Sequence, residues 1–119
     1  MRAAVSVAVL AAWLAGCATP AGPATPATRE SAVPVETVLT EAMSLLMARG
    51  YVIRHADADL GRLEAVIARW PGYRVRLEVE AADGATLISM TAYRDGRPLP
   101  PRLVEPLMTD LNGRLLMRP

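Results

Sequence analysis

Apolar residues recur along the chain with two different spacings, and the change of spacing divides it into predicted elements. Residues 35–49 repeat their apolar positions at helical spacing, in one stripe of Val35, Val38, Leu39, Ala42, Leu45 and Leu46. A stripe of this kind predicts an amphipathic helix, and Pro34 and Gly50 stand where such a helix begins and ends.

A second helix is predicted near the end of the chain, ending close to residue 116. It rests on a four-residue repeat of Leu103, Leu107, Leu111 and Leu115. Because proline removes a helical hydrogen bond, Pro106 predicts either a helix start near Glu105 or a kinked first turn.

Between the two helices the spacing predicts four strands, over residues 51–56, 62–68, 73–81 and 85–94. Residues 73–81 alternate strictly between apolar and charged, which is typical of an antiparallel strand with one wet face. Asp83-Gly84 predicts a type I′ hairpin, whose register sets Leu77 opposite Met90 and Arg74 opposite Tyr93. For the preceding pair of strands, opposite charges meet if Arg62 faces Glu78 and Glu64 faces Arg76.

These elements predict an α+β domain over residues 35–119, in the order α-β-β-β-β-α. One apolar sheet face and two amphipathic helices are best combined as a four-stranded antiparallel meander with both helices on one face. The other face is the candidate interaction surface, formed by Arg62, Glu64, Arg74, Arg76, Glu78, Glu80 and Tyr93. Trp70, in the turn Trp70-Pro71-Gly72, is added to it as a side chain that either contacts a partner or folds over the core edge.

The first 16 residues have the composition of an export signal. Arg2 is followed by an apolar run, which ends in small residues before Cys17, the one cysteine of the chain. The run is shorter than the ~20 residues that span a bilayer. It therefore fits a cleaved secretory signal.

Leu14-Ala15-Gly16-Cys17 resembles the lipobox of bacterial lipoprotein precursors. The resemblance implies cleavage before Cys17, lipid on its thiol and attachment to a membrane. In such lipoproteins an aspartate after the cysteine commonly retains the protein at the inner membrane, so Ala18 favours the outer membrane, facing the periplasm. Residues 17–34, rich in proline and alanine, are predicted to be a tether between lipid and domain.

The charged residues nearly balance, with 13 basic and 12 acidic side chains and a formal net charge of +1. All the basic residues are arginine, which fits either an anion-binding surface or, as the near-zero net charge favours, the codon usage of a GC-rich genome. No basic patch with interleaved aromatics predicts nucleic-acid binding. His55, Asp57 and Asp59 have metal-ligand residue types, but no further histidine or free cysteine completes a transition-metal site, and a turn ending at Gly61 accounts for the aspartates. The sequence thus predicts no catalytic residues, no metal site and no cofactor.

The layout as a whole resembles small, functionally uncharacterised lipoproteins of Gram-negative bacteria. The resemblance rests on the lipobox, the tether, Ala48-Arg49-Gly50-Tyr51, Asp57-x-Asp59-x-Gly61 and the final amphipathic helix. The lipid anchor, the flexible tether and a domain without catalytic groups together predict a non-enzymatic envelope protein, held to the membrane through Cys17, that binds another protein or supports the envelope. The alternative is a periplasmic small-ligand binder, with a pocket between helices and sheet that methionines could line.

Overall fold

Six strands and two α-helices make up the part of the chain that the computed structural model describes, residues 24–69 and 72–117. A short 3-10 helix, Pro101–Leu103, precedes the second α-helix. In chain order the elements are β1 (Ala27–Ser31), α1 (Val35–Ala48), β2 (Tyr51–Asp57), β3 (Arg62–Ile67), β4 (Arg74–Ala82), β5 (Ala85–Arg94), β6 (Arg97–Pro98) and α2 (Glu105–Leu116).

The strands form one antiparallel sheet in the order β1-β5-β4-β3-β2, and β6 also pairs with β5. The two predicted registers are confirmed: Leu77 faces Met90 across β4 and β5, and Arg62 faces Glu78 across β3 and β4. Asp83 and Gly84 both have positive φ, as a type I′ turn requires.

The predicted count of four strands is wrong, and the larger of the two added strands lies in the segment assigned to the tether. β1 pairs along five residues with the outer edge of β5. Its sequence offers one buried apolar side chain, Ala27, so no apolar alternation revealed it. Backbone hydrogen bonds to β5 hold the strand instead. Just after β1, the Thr86 hydroxyl donates a hydrogen bond to the Val33 carbonyl oxygen at 2.7 Å.

The second added strand, β6, follows a turn that repeats the signal of the first hairpin. Asp95 and Gly96 again have positive φ, and Arg94 faces Arg97 across the turn. The dipeptide Asp95-Gly96 is the same hairpin signal as Asp83-Gly84, and it therefore predicts this short strand.

Both helices pack on one face of the sheet, as predicted, and they run antiparallel. Arg49 at the end of α1 forms an ion pair with Asp110 in α2, and Arg114 lies 4.0 Å from Glu41 in the middle of α1. Arg29 of β1 adds a 2.7 Å contact to Glu105 at the start of α2. Side chains less than 2% exposed form the centre of the core, namely Leu46, Leu63, Leu77, Ile88, Met90, Met108, Leu111, Val38, Val75 and Val104.

Pro106 lies in the first turn of α2, where its missing N–H costs no helical hydrogen bond. The helix therefore starts at Glu105, which is one of the two predicted outcomes.

The turn between β2 and β3 is seated directly against β4. Gly61 has φ +65°, and the Val79 N–H donates to its carbonyl oxygen at 2.7 Å. A Cβ at Gly61 would lie 1.9 Å from the Val79 carbonyl oxygen. Glycine is thus required here both by backbone conformation and by the close approach of two main chains.

Candidate interaction surface

The sheet face turned away from the helices, called here the bare face, carries the charged residues of the strands. Alternation along each strand sets them there, because their neighbours Leu63, Val75, Leu77 and Met90 are buried under the helices. The structure brings together on this face the seven candidates Arg62, Glu64, Arg74, Arg76, Glu78, Glu80 and Tyr93.

Arg76 is the best-held side chain of the bare face. Its Nε and Nη2 atoms each lie 3.0 Å from Oε1 of Glu64, its partner across β3 and β4. Its guanidinium carbon also lies 5.2 Å from the ring centre of Tyr93 on β5. A carboxylate on one side and a ring on the other favour one orientation of this cation.

A second arginine–tyrosine contact lies at the end of the sheet. The Arg94 guanidinium carbon is 4.9 Å from the ring centre of Tyr73. The spacing of apolar and charged residues alone does not predict this pair. Extending the predicted β4–β5 register by one position beyond Arg74 and Tyr93 would have found it.

The bare face is concave on both sides of Arg76. A trough of about 650 Å³ opens at the end of the sheet, lined by Val66, Ile67, Gly72, Tyr73, Arg74, Arg76, Tyr93, Asp95 and Gly96. A hollow of about 330 Å³ lies toward β2, lined by His55, Arg62, Glu64, Arg76 and Glu78. Arg76 therefore stands between two open recesses that a partner's side chains can enter.

Charge changes sign along the bare face. On β4 the wet residues run from Arg74 and Arg76 to Glu78 and Glu80. Glu30 of β1 faces Leu87, and Glu80 faces the same residue from the other side. One end of the face is thus arginine-rich and the other is carboxylate-rich.

Of His55, Asp57 and Asp59, Asp57 is the residue whose side chain holds the β2–β3 turn. A bulge after Ile53 shifts the register of β2, and His55 faces Glu64 while Asp57 faces Arg62. Oδ1 of Asp57 accepts the backbone N–H groups of Asp59 at 3.0 Å and Leu60 at 3.1 Å. Asp57 therefore shapes the turn, which is the structural interpretation of these aspartates.

A cleft of about 240 Å³ lies on the helix side, between β3, β4 and the start of α2. Tyr51 and Tyr73 line it, together with Val75, Val104 and Leu107. Burial raises the pKa of the Tyr51 hydroxyl and Tyr73 adds to the rise, while Arg49 and Arg69 lower it. The cleft is smaller than the ~300 Å³ at which small-molecule sites begin.

The methionines do not gather around that cleft. Met90 and Met108 fill the core, whereas Met47 and Met117 are exposed. They therefore lend no support to an adaptable ligand pocket.

Two predicted functional residues, Cys17 and Trp70, lie outside the described residues. Within residues 24–69 and 72–117, neither helix has the length and apolar character to cross a membrane.

Comparison of the sequence with models of known protein families gave no match, and comparison with curated proteins gave none either. The structure alone defines the class of this chain, which is an α+β domain with two helices on one face of an antiparallel sheet.

Proposed function

We propose that the chain is a lipid-anchored protein of the bacterial cell envelope whose domain binds another protein through the bare face and carries out no catalysis. The anchor is lipid on Cys17, and the compartment is the periplasmic side of the outer membrane. No ligand, metal or nucleic acid takes part in this role.

The orientation of Arg76 is the observation that carries the proposal. Solubility alone requires only that the face be charged. It does not require Arg76, at the centre of the face, to lie between the Glu64 carboxylate and the Tyr93 ring. Holding it there removes side-chain entropy before any partner arrives, which lowers the cost of association. Arginine and tyrosine are also the residue types that contribute most at protein interfaces.

The bare face also offers the shape that a partner needs. Its two recesses flank Arg76, and its ends carry opposite charge, which would orient a partner of complementary charge. The helix-side cleft is smaller than ligand sites usually are, so the small-ligand alternative has less support.

Site-specific crosslinking in cells tests the proposal. A photo-reactive residue replaces Ser89, which lies on β5 between Leu87 and Thr91 on the bare face, and in a second strain replaces Ser44 on the exposed side of α1. We expect a crosslink to one protein from position 89 and none to it from position 44. Adding Arg76→Ala should weaken the position-89 crosslink.

Equal crosslinking from both positions, or a position-89 crosslink insensitive to Arg76→Ala, would contradict binding through the bare face. A separate experiment addresses the anchor. Cys17→Ser should remove the protein from the membrane fraction, and the intact mass of the wild type should begin at residue 17 and include acyl groups.

A further inference from the structure

One end of the domain concentrates arginine. It comprises the end of β3, the start of β4, the end of β5, the β5–β6 hairpin and the 3-10 helix, and we call it the basic end. Its arginines are Arg69, Arg74, Arg94, Arg97 and Arg102. Asp95 lies in the hairpin turn among them.

The opposite end, the acidic end, carries most of the carboxylates of the strands and turns. They are Glu30, Asp57, Asp59, Glu80 and Asp83, joined by Glu36 at the start of α1 and with Arg62 among them. β4 alone spans ~30 Å between the two ends. The domain is therefore bipolar, although the formal net charge of the whole chain is only +1.

Three of the exposed apolar side chains lie near these arginines, while Leu60 in the β2–β3 turn and Leu116 and Met117 at the end of α2 are more exposed. Met47 at the end of α1 is 54% exposed, Val52 near the start of β2 is 50% exposed, and Leu103 of the 3-10 helix is 44% exposed. Met47 and Val52 lie on either side of the connection between α1 and β2, and Leu103 lies just before the start of α2. Both connections lie at the basic end. Proteins that bind the interface of anionic bilayers combine apolar side chains with neighbouring basic residues.

The chain enters the domain from this same end. Ala24 and Pro26 lie beside Thr91 and Tyr93, and β1 then runs from Met90 toward Thr86. Six residues lie between Cys17 and Ala24, and the seven Cα–Cα steps reach at most about 25 Å when the chain is fully extended. An anchor at Cys17 therefore keeps the basic end near the bilayer.

We infer that the basic end binds the surface of an anionic membrane, with its arginines on lipid phosphates and with Met47, Val52 and Leu103 at the interface. The inference rests on the proposed anchor for its orientation, but the surface itself can be tested without lipid on the protein. In this position the acidic end points away from the membrane, and the bare face stands roughly upright between the two.

Vesicle binding of the chain from Ala18 to Pro119 provides the test, since this chain lacks Cys17 and keeps every described residue. Cosedimentation is measured with vesicles of 30% phosphatidylglycerol in phosphatidylcholine and with vesicles of phosphatidylcholine alone. We expect binding to the anionic vesicles only, weakened by salt. Each arginine removed from the basic end should cost about fivefold in partition coefficient.

Two double variants with the same change of charge separate the basic end from net charge. Arg94→Gln with Arg97→Gln should weaken binding to anionic vesicles about 25-fold. Arg62→Gln with Arg114→Gln, away from the basic end, should leave it nearly unchanged. Because Arg94 contacts Tyr73, thermal unfolding is measured for each variant, and Arg69→Gln with Arg102→Gln serves as a second basic-end pair.

Equal losses in the two kinds of double variant, or equal binding to both kinds of vesicle, would overturn the inference. The inference would also be overturned if the chain did not bind vesicles and the basic-end variants instead lost a protein crosslink. None of these outcomes bears on lipidation, which the mass of the native protein decides independently.

Discussion

Alternate residues of β4 lie on opposite faces of the sheet and meet opposite surroundings. Val75, Leu77 and Val79 are at most 4% exposed beneath the helices, whereas Glu78 and Glu80, which adjoin Val79 on either side, are exposed. The covered face holds the fold through removal of apolar surface from water. The bare face contributes ion pairs that water and salt weaken. One strand therefore carries stability on one side and, on the other, the charged surface that we propose as the binding face.

The largest expected effect tests the covered face. Leu77→Ala removes a side chain with no exposed surface and should lower the free energy of unfolding by about 2–5 kcal/mol. Glu78→Ala, one residue along on the other face, should change it by less than ~1 kcal/mol. Urea unfolding measures both, and comparable losses would break the comparison.

A smaller effect is expected where the β2–β3 turn meets the backbone of β4. Gly61→Ala combines a left-handed backbone with a Cβ driven into the Val79 carbonyl, and should cost about 2–4 kcal/mol. Gly84→Ala is the matched variant: its φ is also positive, +79°, but nothing lies within 4 Å of the added Cβ. It should cost about 1–2 kcal/mol. Equal losses at the two glycines would show that the close approach to Val79 adds nothing.

The bare face itself should show only weak coupling. A double-mutant cycle of Glu64→Ala and Arg76→Ala, whose side chains are 27% and 41% exposed, should give about 0.2–1 kcal/mol. This coupling should fall as salt is raised. A coupling of several kcal/mol would place Arg76 among the groups that hold the fold and would blur the distinction between the faces.

The smallest expected effect is a dependence of stability on alkaline pH from Tyr51. Because burial raises the pKa of its hydroxyl, the folded chain keeps this proton to higher pH than the unfolded chain. The contribution is full below about pH 10 and is lost as pH rises through the folded-state pKa. Tyr51→Phe should flatten the fall of the urea midpoint above that pH, and Tyr93→Phe on the bare face should leave the fall in place.

Sequence patterns predict strand pairing best where two different signals specify the same register. In β4 and β5, the alternation of apolar and charged residues and the Asp83-Gly84 turn independently specify one register. β1 has no such support, because Ala27 is its one buried apolar side chain and its stability comes from pairing with a strand far along the chain. Pairing of that kind leaves no mark on local composition.

The bare face was predictable as a set of positions but not as a site. Register alone places Arg76 opposite Glu64. The contact of Arg76 with Tyr93 depends on a diagonal reach between strands and on side-chain rotamers, which spacing does not determine. The concentration of arginine at one end arises from residues of four separate elements and their connecting turns, so it became visible only in the folded chain.

The position of β1 has a mechanical consequence. If Cys17 is fixed and the bare face is held by a partner, any separation of the two pulls on β1 along its own axis. Its five residue pairs with β5 then resist as a group under shear instead of opening one at a time, and the Arg29–Glu105 contact ties the same strand to α2. Under those two attachments, a strand with a single buried apolar side chain, Ala27, would transmit the tension between membrane and partner.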